Sequence, residues 1–127
     1  MIKEEEGVLT PQIIKTNKVS SLCIAYINQH LNEPLSLKYL EKKLHISASH
    51  IRQTFKKEIG LTVHKYVLVQ KMQLARQLLI EGNTPVSVAQ QLGYEYYSTF
   101  YENYVNYFHL SPKAYSNLSS QRLSGND

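Results

Sequence analysis

A chain of 127 residues has room for one compact domain, or for two very small ones that share an element. Hydrophobic content of 43% is enough for a packed core. A single cysteine excludes an internal disulfide or a cysteine-rich zinc site, and no run of about 18 apolar residues offers a membrane span. The formal charge of +4 is modest but unevenly spread. Between Lys38 and Arg76 stand nine basic residues (Lys38, Lys42, Lys43, Arg52, Lys56, Lys57, Lys65, Lys71 and Arg76), opposed only by Glu41 and Glu58. Such a block either draws in a polyanion, with salt-dependent binding, or is simply a solvated helical face.

Taken in order, residues 1–17 carry an acidic run from Glu4 to Glu6, then Gly7 and Pro11, and read as a flexible arm or a linker. The start MIKEEEG is no signal peptide, so a soluble cytoplasmic protein is expected. From Lys18, the residues Val19, Leu22, Cys23, Tyr26, Ile27 and Leu31 follow helical spacing, and the helix is predicted to end near Asn32–Pro34. On that stripe Cys23 is a buried small hydrophobe rather than a nucleophile. A short second helix at 36–44 turns Leu37, Leu40 and Leu44 inward. A third at 48–59 starts at Ser47, whose hydroxyl can accept from a free backbone N–H. Ile51, Phe55 and Ile59 recur there every four residues, Arg52, Gln53, Lys56 and Lys57 lie off that stripe, and Gly60 can close the helix in a left-handed conformation. Two short helices, a tight turn and a cationic second helix are what a helix-turn-helix needs to reach a DNA major groove.

Thr62 is placed to cap a long fourth helix, which Gly82, Asn83 and Thr84 stop. Its expected buried face is Val63, Tyr66, Val67, Leu74, Leu78 and Leu79. Pro85 suits the first turn of a fifth helix carrying Val86, Val88, Ala89 and Leu92, and Gly93 suits a tight turn. A sixth helix, about 97–108, places Phe100, Tyr104 and Phe108 inward, and Ser111–Pro112 starts a short seventh before a tail at 119–127. No strand pattern remains, so the fold class is all-α.

The chain also echoes itself. Leu40, Leu44, Ile51, Phe55 and Ile59 return as Val88, Leu92, Phe100, Tyr104 and Phe108, offset by 48 residues before the turn and 49 after it. Two similar helix pairs joined by the fourth helix are implied. A rod of about 19 residues spans roughly 28 Å, which suits two helices ~34 Å apart on one face of a duplex.

These residues resemble the DNA-binding domain of the AraC/XylS family of bacterial transcription regulators over about 20–116. The match rests on Leu37, Leu40, Ser47, Ile51, the run Phe55-Lys56-Lys57-Glu58, and Gly60. It continues through Tyr66, Ala75-Arg76, Leu78-Leu79, Ala89, Gly93-Tyr94, Ser98, Phe100 and Ser111-Pro112. The resemblance implies seven helices in two helix-turn-helix subdomains joined by a long linker helix. The domain would then occupy 18–118, with subdomains at 18–60 and 84–118 and the linker at 62–81. It also implies a cytoplasmic, nucleoid-associated protein that acts at promoters, usually as an activator touching RNA polymerase.

By position, the family's base contacts fall on Ser49, Arg52 and Gln53 in the first repeat and on Tyr97, Ser98, Tyr101 and Glu102 in the second. Arg52 suits guanine O6 and N7, and Gln53 suits adenine N6 and N7. Lys56 and Lys57 are placed for phosphate. Thr62 and Ser111, at helix starts, either meet phosphate or only cap.

The second repeat departs from the family's pattern. Glu102 stands where a cation is common, Tyr104-Val105-Asn106 replaces Phe-Lys-Lys, His109 replaces the glycine, and Ser116 replaces an arginine after Tyr115. From Gly82 to Ser116 only Lys113 is basic, against Glu95 and Glu102. The first repeat is therefore expected to supply most of the affinity.

Tyr94 and Tyr104 read as core aromatics. Tyr96, Tyr97, Tyr101 and Tyr107 cannot all point inward, so an exposed group is expected to meet sugar edges, thymine methyls or a protein. The five histidines lack metal spacing, no cofactor motif stands out, and no Ser-His-Asp set, phosphate loop or carboxylate pair supports catalysis. The expected function is sequence-specific DNA binding by a monomeric domain that regulates transcription. The competing reading is a protein-interaction module, such as an anti-activator, that kept the fold but lost productive DNA contact.

Overall fold

The computed structural model describes residues 18–113. The arm at 1–17, most of the seventh helix, Tyr115, Ser116 and the tail at 119–127 lie outside them. The described residues are all-helical, without strands, and form six helices: α1 (Lys18–Gln29), α2 (Leu37–Leu44), α3 (Ala48–Ile59), α4 (Val63–Ile80), α5 (Pro85–Gln91) and α6 (Tyr97–Phe108). Pro112 and Lys113 are helical at the edge of the described region. The chain divides into two compact units, one of 18–30 with 35–67 and one of 31–34 with 68–113. Helix α4 thus contributes its first five residues to one unit and the rest to the other.

In the first unit α3 packs against α1 and α2. Its buried side chains are Cys23, Ile27, Leu35, Leu40, Ile51, Phe55, Val63 and Val67, and the Phe55 ring meets Tyr66 edge-on at 5.6 Å. Each fully buried Leu, Ile or Phe contributes about 1.5–3 kcal/mol. Ile59, Leu37 and Leu44 finish the same stripes but are only half-buried.

Two expectations for α1 need correction. Its buried face is Ser20, Cys23 and Ile27, and Leu22 lies off that face and is exposed. The helix also stops at Gln29, where the His30 N–H turns back to the Ile27 carbonyl at 3.1 Å. The cause is tertiary: residues 31–34 belong to the second unit, and Leu35 then re-enters the first with φ 60, buried despite its left-handed backbone. A left-handed non-glycine residue costs about 1–2 kcal/mol, offset here by burial of the leucine side chain.

The second unit is built on a core of Met72, Ala75, Leu79, Val88, Ala89, Leu92, Phe100 and Tyr104. Leu68, Leu74, Leu78, Tyr94, Tyr107 and Phe108 pack around it, partly buried. Val86 is not part of that core: at the second position of α5 it points to solvent. Met72 and Ala75, which lie outside the expected α4 face, are fully buried.

Lys71 is the larger correction. It belongs to the basic block between Lys38 and Arg76, yet it is 5% exposed and donates to the carbonyls of Glu33 at 2.7 Å and Leu92 at 2.8 Å. Its ammonium lies 5.2 Å from the centre of the Tyr94 ring, and burial pushes its pKa down to about 8. All these partners lie in the second unit, where one lysine ties α4 to the 31–34 segment and to the turn before α6.

Candidate nucleic-acid interface

Helix α3 is closed at both ends by its own sequence. The Ser47 hydroxyl accepts from the His50 N–H at 3.2 Å, and Gly60, at φ 89, returns its N–H to the Lys56 carbonyl at 2.9 Å. With Ile51 and Phe55 fully buried, the opposite face must be solvated. It carries Ser49, the adjacent pair Arg52 and Gln53, and Lys56, all exposed and each about one helical turn from the next, with Lys57 exposed beside them. The only acidic residue on α3, Glu58, is half-buried. The structure thus brings the five α3 candidates onto one helix, with Ser49, Arg52, Gln53 and Lys56 on a common face. Lys56 reaches forward only weakly, to the Gly60 carbonyl at 3.4 Å.

Helix α6 repeats that design with different chemistry. Phe100 and Tyr104 are fully buried, whereas Tyr97, Ser98, Tyr101 and Glu102 are all exposed. Tyr96 caps the helix by backbone geometry alone, without a side-chain hydrogen bond, and is 64% exposed. His109 closes α6 at φ 62, with its N–H on the Val105 carbonyl. Tyr94 is half-buried; it accepts from Asn103 at 3.0 Å and burial raises its pKa, although that hydrogen bond opposes the rise. Tyr107 is also half-buried, accepting from Gln73 at 3.2 Å. The exposed aromatic group is therefore Tyr96, Tyr97 and Tyr101, without Tyr107.

Thr62 is exposed, and its hydroxyl accepts from the Lys65 N–H at 3.1 Å, so it caps α4. Ser111 is half-buried. Cys23 is fully buried and its thiol is pushed up to about 11, which removes nucleophilic character at neutral pH. Among the described residues no group of three or more His, Cys, Asp or Glu is gathered as for a metal ion, and no helix is long and apolar enough to cross a membrane.

Charge divides the described parts of the two units in the same sense as the sequence blocks. The described part of the first holds eight basic and two acidic residues; that of the second holds three basic and four acidic, and one of those three cations is the buried Lys71. Arg76, also in the second, lies 5.4 Å from the centre of the Phe108 ring. The signal for Lys71 was present in its position: Val67, Lys71, Ala75 and Leu79 recur every four residues, so this lysine sits on the buried stripe of α4.

A family model described as a helix-turn-helix domain matches residues 40–117. The multiple antibiotic resistance protein MarA of Escherichia coli is 32% identical over 97 residues, which are 76% of each chain. The chain belongs to the AraC/XylS family. Another relative, the probable transcriptional regulator LumQ of Photobacterium leiognathi, is 35% identical over 91 residues, 71% of this chain but only 37% of LumQ. Among solved structures, the DNA-binding domain of the global transcriptional factor AdpA, in complex with a target DNA, shares the fold with a TM-score of 0.74. That match has 19% identity and covers 84% of this chain and 96% of the other. As an AraC/XylS member the chain is a helix-turn-helix domain of the transcription-regulator class, and both helix pairs described above fall within or across the matched residues.

Proposed function

We propose that this protein is a sequence-specific DNA-binding transcription regulator, an activator that touches RNA polymerase and acts in the cytoplasm on the nucleoid. It is organised as two helix-turn-helix subdomains joined by a long linker helix, α4. Helices α3 and α6 enter adjacent major-groove segments, with the domain acting as a monomer. Family membership supports DNA as the partner, and AdpA, whose fold is shared, was solved with a target DNA.

The observation that carries the reading is the exposed face of Ser49, Arg52, Gln53 and Lys56 on α3, backed by buried Ile51 and Phe55 in a unit whose described residues include eight basic and two acidic ones. Arg52 would read guanine, Gln53 adenine, and Ser49 either edge. Lys56 and Lys57 would hold phosphate, joined at helix starts by Thr62 and Ser111. On α6, Tyr97, Ser98, Tyr101 and Glu102 would meet bases with less affinity, because few cations in that unit can offset phosphate repulsion.

The test is DNA affinity, on duplexes selected from a random pool, for wild type, Arg52→Ala and Tyr101→Ala across a salt series. A steep fall in affinity with salt, and a much larger loss for Arg52→Ala, is the expected result. Equal large losses would refute the asymmetry, and absence of salt-dependent binding would return the protein-interaction reading.

A further inference from the structure

The two exposed tyrosines of α6 carry an inference that goes deeper into the second half-site and rests on the DNA-binding reading above. Helix α6 holds no basic residue; its one charge is Glu102. Whatever affinity this helix has for a polyanion cannot come from neutralising phosphate along its own length. Beside exposed polar Ser98, Thr99 and Glu102 it presents a pair of aromatic rings: Tyr97 is 38% and Tyr101 is 42% exposed, one helical turn apart, with ring centres 6.2 Å from each other. The Tyr97 ring also lies 5.8 Å from the fully buried Phe100, so the pair is braced from behind by the core. Burial already pushes the Tyr97 hydroxyl pKa up, with a smaller rise from Tyr101.

These residues also share the register of the cationic helix. Both helices are twelve residues long, and the offset of 49 brings Ser98 onto Ser49, Tyr101 onto Arg52 and Glu102 onto Gln53. Tyrosine thus occupies the position where the other repeat has its guanine-reading arginine. Among the base edges in the major groove, only thymine offers an apolar group, its C5-methyl.

We infer that α6 is a thymine-methyl reader: Tyr97 and Tyr101 pack on thymine C5-methyl groups, and Glu102 accepts from the N4 amine of a neighbouring cytosine. The preference for thymine in this half-site then comes from burial of methyl groups, a contribution insensitive to salt.

The experiment changes the DNA, so it does not depend on a variant folding. A duplex selected by the protein is synthesised with every thymine of one half replaced by deoxyuridine, one half at a time, and affinity is measured by fluorescence anisotropy. In the half whose recognition does not depend on Arg52, uracil should weaken binding about fourfold for each contacted methyl. In the Arg52-dependent half it should change little. A Tyr97→Ser, Tyr101→Ser double variant with wild-type helical circular dichroism should bind the thymine and uracil duplexes equally. If thymine and uracil bind equally with wild-type protein while Arg52→Ala still destroys affinity, this inference is overturned, the DNA reading stands, and the tyrosine face is left for a protein partner. Failure to bind any selected duplex overturns both.

Discussion

The two helix pairs show how one backbone plan can be carried by different local chemistry. In the first, the turn between α2 and α3 passes through His45 at φ 59, and α3 ends on Gly60 at φ 89. In the second, the same two left-handed positions hold Gly93, at φ 80, and His109, at φ 62. Glycine and histidine have exchanged places. The exchange is not symmetrical, because a Cβ on Gly93 would run into the backbone carbonyl of Asn32, whereas a Cβ on Gly60 meets nothing. The second turn also runs over five residues, 92–96, against three, 45–47, in the first, and its helix starts without the side-chain cap that Ser47 gives α3. What the second unit loses in local signals it regains through tertiary contacts, chiefly the Lys71 ammonium on two carbonyls.

That contrast is most directly broken at the two glycines. Gly93→Ala should cost about 3 kcal/mol, from a left-handed backbone together with the collision at Asn32. Gly60→Ala should cost about 1 kcal/mol, from backbone conformation alone. Urea denaturation measures both, and equal losses would mean that the close approach at Asn32 has no energetic weight.

On the DNA side, Arg52→Ala should lower specific affinity by roughly 2 kcal/mol, about thirtyfold, and relax the preference at one base pair. Lys57→Ala should weaken binding to all sequences alike and reduce the salt slope by about one. Anisotropy titrations at several salt concentrations separate the two behaviours. An equal loss of sequence preference from both substitutions would contradict the roles assigned to them.

Lys71→Met should destabilise the protein by about 2 kcal/mol at pH 7, since two carbonyls lose a charged donor. The pH dependence has a definite sign. Below pH 8 the lysine is charged in both states, and the native state bears the cost of burying it. Between about 8 and its ordinary 10.5, the unfolded chain holds a proton that the folded chain has released, so wild-type stability relative to Lys71→Met should rise with pH. Paired denaturation curves at pH 7 and 9.5 test this, and a gap that narrows would reverse the assignment.

The smallest effect concerns the caps. Ser47→Ala should cost about 1 kcal/mol, and Tyr96→Ser, which supplies the missing cap to α6, should stabilise by about 0.5 kcal/mol. Thermal melts read both, and the opposite signs are the point of the comparison.

Features set within a few residues of chain were legible in the sequence. The starts of α3, α4 and α5 follow from Ser47, Thr62 and Pro85, whose side chains or ring act on their own helix turn, although the structure adds a cap at Thr84 that reads in sequence only as a helix stop. The buried stripes through Ile51–Phe55 and Phe100–Tyr104 follow from helical periodicity, and the exposed candidates on α3 and α6 are whatever those stripes leave outside. Long-range partners decided the rest. Leu22 and Val86 are apolar in sequence and exposed in the fold, because neither lies on the buried face of its helix. Lys71 is cationic and buried, because the carbonyls of Glu33 and Leu92, 38 and 21 residues away, meet it there. Gly93 is fixed as glycine by Asn32, and α1 ends early because residues 31–34 belong with distant chain. Caps and periodicity are interactions a helix has with itself, and so they are written in order along the chain. Which face is covered, and which charge finds an acceptor, depends on segments brought together only by folding.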